Sequence, residues 1–370
     1  MSRISVLDDP ARIKEIDRKG MLSFCVEAPK HHEYAVKIAE KVEINHLKPK
    51  AIIVAGMGAS AIGGEILKDW GQGTLAIPLE VCRGYTLPAY ANEETIAVIL
   101  SYSGETEETL SCLFNAIEKK CNVFCVSSDG TMLKMAEKLK IPVLQVPEGI
   151  PPRAALPYLF TPLLVFLEKL NLISNVKEEI SEAIKVLEHV CSENSPEKPL
   201  RINFSKKLAV NLEGTIPLIY GFGFYRSVAQ RFKQQFNENS KIPAFWNVFP
   251  ELNHNEIVGW ENAEKLAKSF SAVLIRDENE PTEIKSHIAA TKEILNDEGI
   301  ETYEVWGKGR GKLAKMLSTV LIGDFTSVYL AILRGVDPTP VRTISELKEK
   351  IAKAGTRNRI IQRLMGKDSG

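Results

Sequence analysis

The sequence predicts an α/β fold built from two doubly wound parallel-sheet domains, and three observations carry that prediction. From about residue 50, short apolar runs alternate with amphipathic stretches of helical spacing, the pattern of a parallel sheet covered on both faces. The runs are nearly all apolar and rich in β-branched residues, as strands buried on both faces must be. After residue 199 the same order of strand, glycine turn and helix returns. A length of 370 residues also exceeds what one ordinary core organises.

The elements follow in order. "AIIVAGMG" reads as a strand and glycine turn, and "ASAIGGEILKDW" as a helix. "LAIPLEVC" supplies a further strand. In "TIAVILSYSG" a strand runs into a turn, and "ETEETLSCLFNAIEKK" places Leu110, Leu113, Phe114 and Ile117 at helical spacing. Acidic residues crowd the first turn of that helix and Lys119 and Lys120 its last, as the helix dipole favours. "CNVFCVSSDG", "TMLKMAEKLK" and "IPVLQV" complete the first set. The prolines of "PEGIPPRAALP" interrupt the alternation, a long helical stretch runs to residue 190, and "SENSPEKP" reads as a linker. Then "TIPLIYGFG", "FYRSVAQRFKQQFNENS" and "FSAVLIRD" repeat the grammar, which points to internal duplication. The expected boundaries are 1–158 for the first domain, 159–198 for a helical connection and linker, and 199–370 for the second.

Two strand ends of the first domain offer polar turns. Gly56-Met57-Gly58-Ala59-Ser60 allows close backbone approach, and Ser101, Ser103 and Thr106 add hydroxyls around Gly104. Each turn leads into a helix whose first N–H groups lack partners, a ready anion site. Doubly wound sheets bind ligands at such strand ends. "GMGASAIGG" is an imperfect dinucleotide fingerprint, with no ribose-binding acid at the end of the next strand, and it is not a P-loop. A small phosphorylated metabolite fits better. In the second set Ile275-Arg276-Asp277-Glu278 replaces the serines, so one phosphate site per chain is expected.

Composition narrows the class. Lys plus Arg and Asp plus Glu number 47 each, so no net charge draws the chain to nucleic acid or anionic lipid. No apolar run was expected to reach membrane-spanning length. "MSRISVLDDPARIKEID" lacks the apolar core of a signal peptide, which favours a cytoplasmic location. The six cysteines include no C-x-x-C pair and are expected reduced and mostly buried. "HHE" at 31–33 is not in zinc-binding register, so no metal and no cofactor are expected.

"GMGASAIGG" followed by "SYSGETEET" resembles the sugar-isomerase (SIS) domain, a flavodoxin-like fold whose serine turns bind sugar phosphates. "PPRAALP", "FNENSKIPA", "PELNHNEIVGW" and "SVYLAILRGVDPTPVRTISELK" extend the resemblance to the bifunctional phosphoglucose/phosphomannose isomerase family, from about residue 45 to 355. Ala59 departs from the family's usual glycine but keeps its backbone N–H.

The resemblance implies metal-independent isomerisation of glucose 6-phosphate and mannose 6-phosphate to fructose 6-phosphate, through ring opening and a cis-enediolate. It implies phosphate contacts from Gly58, Ala59, Ser60, Ser101, Ser103 and Thr106. Glu238 would carry the proton between C1 and C2. His254 would protonate the ring oxygen and be supplied to the neighbouring subunit of a homodimer. Arg153 would bind substrate and offset enediolate charge. Lys348, on a C-terminal tail that joins the active site, would contact the sugar. Read alone, each of these four is an ordinary polar residue of a helix end or loop. Lys350 competes with Lys348, and Thr339 and Thr343 are both candidates for shaping the space near C2. A non-catalytic sugar-phosphate regulator would usually carry a basic helix-turn-helix, and none precedes residue 45. A glucosamine 6-phosphate synthase would need an N-terminal cysteine, where this chain has Ser2.

Overall fold

A computed structural model describes residues 3–44, 48–353, 355, 360 and 362. The chain forms two compact units, residues 30–177 with 341–370 and residues 1–29 with 178–340.

The first unit holds a five-stranded parallel sheet of β1 (Ala51–Ala55), β2 (Leu79–Cys82), β3 (Thr95–Leu100), β4 (Asn122–Ser127) and β5 (Val143–Gln145). Its order is β2-β1-β3-β4-β5. Winding therefore reverses between β1 and β3, which is where a doubly wound sheet opens a crevice. Every residue of β1 and β3 is buried. Ile53, Ala55, Ala97 and Ile99 share a core cluster with Leu110 and Leu113, and with Met132 and Met135. The former pair lies on α5 (Glu107–Glu118), the latter on α6 (Gly130–Lys138). On the other face, α4 (Gly58–Gly71) approaches closely: a Cβ on Gly64 would stand 2.8 Å from Val54 Cγ1. A helix is also present at Ala28–Glu40, α3.

In the second unit β6 (Ile216–Phe222), β7 (Phe245–Phe249), β8 (Phe270–Arg276) and β9 (Glu301–Trp306) pair in the order β7-β6-β8-β9. With β6 matched to β1, this is the first sheet's order without its fifth strand, as duplication requires. Apolar runs in the sequence mark β6 and β8 but neither edge strand.

Residues 3–29 group here rather than with the first sheet, unlike the expected boundary. The Lys206 ammonium, wholly buried, is met by Asp8 Oδ1 at 3.1 Å and lies 5.6 Å from the Tyr329 ring centre. Asp17 accepts from the N–H groups of Met21 and Leu22, at 2.7 and 2.9 Å, and so caps the helix Met21–Val26. A buried charge and an unsatisfied helix end both demand such partners. The long helical stretch is in fact two helices, α7 (Leu156–Lys169) and α8 (Val176–Asn194). Asn171 and Asn175 adopt left-handed backbone between them, with φ of 55° and 63°. The expected linker is anchored structure: Ser205 N–H donates to Asn194 Oδ1 at 2.9 Å, and Lys206 Nζ donates to Pro196 O at 2.9 Å.

One expectation fails outright. Helix α13, Lys312–Leu333, has 22 residues, and its most apolar 18-residue window has a mean hydropathy of 1.7, long and apolar enough to span a bilayer. Its most apolar window is 94% buried in the protein, however. A helix hydrophobic all round is what the centre of a large core needs. Two of its charged residues are paired: Asp324 with Arg231 at 2.6 Å, and Lys315 with Asp277 at 2.7 Å.

Candidate active site

The carboxyl ends of β1 and β3 carry the two polar turns; one hydrogen bond joins them and another closes the second turn. Tyr102 N–H donates to Ser60 Oγ at 3.3 Å, and Ser101 Oγ donates to Thr106 Oγ1 at 3.2 Å. Ser60 and Ser101 are buried, whereas Gly58 and Ser103 are exposed. Helix α4 begins after Met57 and α5 after Thr106, and neither N-cap side chain caps its helix. Two uncapped helix starts beside clustered hydroxyls have the features of an anion cradle. A cavity of about 460 Å³ lies at the opposite, amino-terminal edge of this sheet, walled by Ile52, Ile96, Val98 and Phe124. Its mainly apolar wall is unsuited to a dianion.

Neighbouring serines that belong to neither polar turn brace the cradle. Ser127 Oγ donates to Ser101 O at 2.8 Å, and Ser128 Oγ donates to Tyr102 O at 2.6 Å. Their signal was the second serine-rich strand end, "CVSSDG". Tyr102 itself reaches further: its hydroxyl donates to Pro147 O and accepts from Ile150 N–H, both at 2.9 Å. Burial pushes its phenol pKa up, which keeps it a neutral donor. The loop it fixes leads directly into the short 3₁₀ turn Pro152–Ala154. That turn carries Arg153, only 3% exposed. A guanidinium stays charged even there, so this is a fixed cation and not a surface arginine.

The second sheet treats the equivalent position differently. At the end of β8, Asp277 Oδ2 accepts from the Tyr225 hydroxyl at 2.9 Å and Oδ1 from Lys315 Nζ at 2.7 Å. An internal carboxylate thus occupies the donors that an anion would need.

Glu238 and His254 belong to the unit of the second sheet. Helix α10 (Arg226–Gln235) widens into a π-turn over Phe236–Ser240, and half-buried Glu238 lies in it. Such widenings recur at functional sites. Buried neighbours hold this one to α13: Asn239 Nδ2 donates to Ser327 Oγ at 2.9 Å, and Ser240 Oγ donates to Ser327 O at 2.6 Å. Lys241 adopts left-handed backbone and donates its ammonium to Glu238 O and Pro338 O. His254 ends the 3₁₀ turn Glu251–His254 after β7 and is exposed. Lys348 and Lys350 are exposed on α14 (Arg342–Ala352), a helix with no buried residue, in the unit of the first sheet. Thr343 is exposed on the same helix, while Thr339 is half-buried and donates its N–H to Asp337 at 2.9 Å. Among the described residues, no group of three or more His, Cys, Asp or Glu could hold a metal ion. All six cysteines are free thiols, five of them buried.

A bifunctional phosphoglucose/phosphomannose isomerase of Caldicellulosiruptor bescii is 38% identical over 329 residues, covering 88% of this chain and 97% of that one. The chain belongs to this family. An Aquifex aeolicus protein of the same name is 35% identical, over 82% of this chain and 91% of its own. Residues 201–351 match the family model described as the bacterial phospho-glucose isomerase C-terminal SIS domain. A hypothetical protein of Thermus thermophilus, TT0462, shares the fold with a TM-score of 0.71 at 15% identity, covering 94% of each chain. Within an isomerase family of this kind, the cradle, Arg153, Glu238 and His254 become the residues to interpret.

Proposed function

We propose that this chain isomerises glucose 6-phosphate and mannose 6-phosphate to fructose 6-phosphate without a metal. What supports the reading most is the hydroxyl-lined cradle at two uncapped helix starts, in a chain of this family. Gly58, Ala59, Ser60, Ser101, Ser103 and Thr106 would bind the phosphate. His254 would protonate the ring oxygen as the ring opens, the usual acid–base role of an imidazole. Glu238 would then take the C2 proton of the aldose and return it to C1. Arg153 would offset charge on the enediolate oxygens, and Lys348 would contact the sugar. The two aldoses differ only at C2, so both lead to one enediolate. We further propose a cytoplasmic homodimer in which His254 serves the partner's site.

The deciding experiment is turnover of each aldose phosphate to fructose 6-phosphate, with and without EDTA. Both should react, and chelation should change neither rate. Binding without turnover would favour a sugar-phosphate regulator, and zinc-dependent rescue after chelation would overturn metal independence.

The cradle has its own test. Ser101→Ala with Ser103→Ala should raise KM for fructose 6-phosphate while kcat falls far less, because phosphate is held equally in ground and transition states. Each hydrogen bond to a charged group contributes about 1.5–3 kcal/mol, so KM should rise by on the order of a hundredfold or more. An unchanged KM would remove the phosphate assignment.

A further inference from the structure

The segment that carries His254 is held at both ends. On one side Leu252 is buried and Asn253 Nδ2 donates to Thr291 Oγ1 at 2.6 Å. On the other side the anchor is Glu256. The Tyr220 hydroxyl donates to its Oε1, and Asn247 Nδ2 donates to its Oε2 at 2.6 Å. Tyr220 and Asn247 are register partners on β6 and β7, so the sheet presents both donors together. Tyr220 is 1% exposed. Between the anchors, Asn255 ties the turn to itself: its Oδ1 accepts from Glu256 N–H at 2.6 Å and its Nδ2 donates to Glu251 Oε1 at 2.7 Å. His254 and Asn255 are the exposed residues of a short span fixed before and after them.

We infer that Glu256 is a positioning residue for His254: its carboxylate, clamped by Tyr220 and Asn247, sets where the imidazole can reach. This rests on reading His254 as the ring-opening donor. A carboxylate suits the task because its two oxygens accept from two donors at once. A glutamine in its place has one oxygen and offers an amide N–H to a donor. The span would keep its buried anchor at Leu252 and lose its second. Geometry matters steeply here, since a 1 Å misplacement can cost about 10²-fold in rate.

Ring opening can be read directly as exchange between the α and β anomers of glucose 6-phosphate by NMR magnetisation transfer. Glu256→Gln should slow enzyme-catalysed anomer exchange by about tenfold or more. The inhibition constant for inorganic phosphate should stay near wild type, and the variant should remain folded at the assay temperature. Adding Glu256→Gln to His254→Ala should cost little beyond His254→Ala alone, because both act through one group. Tyr220→Phe removes the same clamp from the other side and should reproduce the loss if Glu256→Gln does not fold. Normal anomer exchange in a folded Glu256→Gln or Tyr220→Phe variant, with His254→Ala impaired, overturns the inference alone. Losses that multiply in the double variant also overturn it, since they indicate general destabilisation. If His254→Ala itself exchanges anomers normally, the role of His254 fails and takes the inference with it.

Discussion

Glu238→Gln should lower kcat by ~10²–10⁴-fold, the usual contribution of a positioned acid–base group. The amide keeps the shape of the side chain but cannot take a proton from C2. The loss should appear with both aldose phosphates, because every route passes through the same enediolate. The variant should still fold, since the π-turn is held by Asn239 and Ser240 against Ser327 and not by the Glu238 carboxylate alone. Anomer exchange should continue in it while solvent deuterium ceases to enter C1 and C2. Retained deuterium incorporation would show that another base carries the proton.

The same variant tests the proposed sharing of His254. Chains bearing only Glu238→Gln and chains bearing only His254→Ala should each be poorly active. If His254 crosses to the partner's site, a mixed dimer rebuilds one site from two unmutated positions. Activity should then peak near the middle of the mixing series after dissociation and reassembly. A flat series, with mixed dimers shown to form, would mean that each chain builds its site alone.

What the sequence made legible was local. The cradle residues sit within a few positions of one another, at ends of strands buried on both faces, so apolar run and polar turn announce each other. The edge strands β7 and β9 were missed because "FWNVF" and "ETYEVW" are only half-buried and carry Asn247, Glu301 and Glu304. An edge strand needs no continuous apolar run. The widening at Glu238 has no local mark, because the residue that holds it, Ser327, lies far along the chain. Distance in sequence likewise hid the pairing of Asp8 with Lys206. Arg153 could be named from its motif, but its burial depends on Tyr102 fixing the preceding loop. Helix α13 misled through its polar residues, which break up the apolar run yet are satisfied by ion pairs inside the core.

Gly104→Ala should damage both the fold and the phosphate site. Gly104 has φ +65°, and an added Cβ would lie 1.8 Å from Asp129 O and 2.9 Å from Ser127 Oγ. The turns are mutually crowded, for a Cβ on Gly130 would come 2.4 Å from Ser103 O. Neither backbone can retreat without loss. Gly104 N–H donates to Ser101 O at 3.0 Å, Gly104 O accepts from Met132 N–H at 3.0 Å, and Ser128 N–H donates to Tyr102 O at 2.9 Å. The left-handed conformation alone costs alanine about 1–2 kcal/mol. Separating the turns adds broken hydrogen bonds, each worth about 0.5–1.5 kcal/mol net. Together these should destabilise the protein by roughly 3–5 kcal/mol, at the high end for one substitution. Because Ser101, Ser103 and Thr106 flank the displaced residue, KM for fructose 6-phosphate should rise in whatever fraction still folds. Gly73→Ala is the control: φ is +86° and nothing lies within 4 Å of its added Cβ. It should show the backbone cost alone, about 1–2 kcal/mol, with KM unchanged. Equal stability losses in the two variants, measured by urea unfolding, would show that the strand ends yield freely and that Gly104 is not what holds the cradle closed.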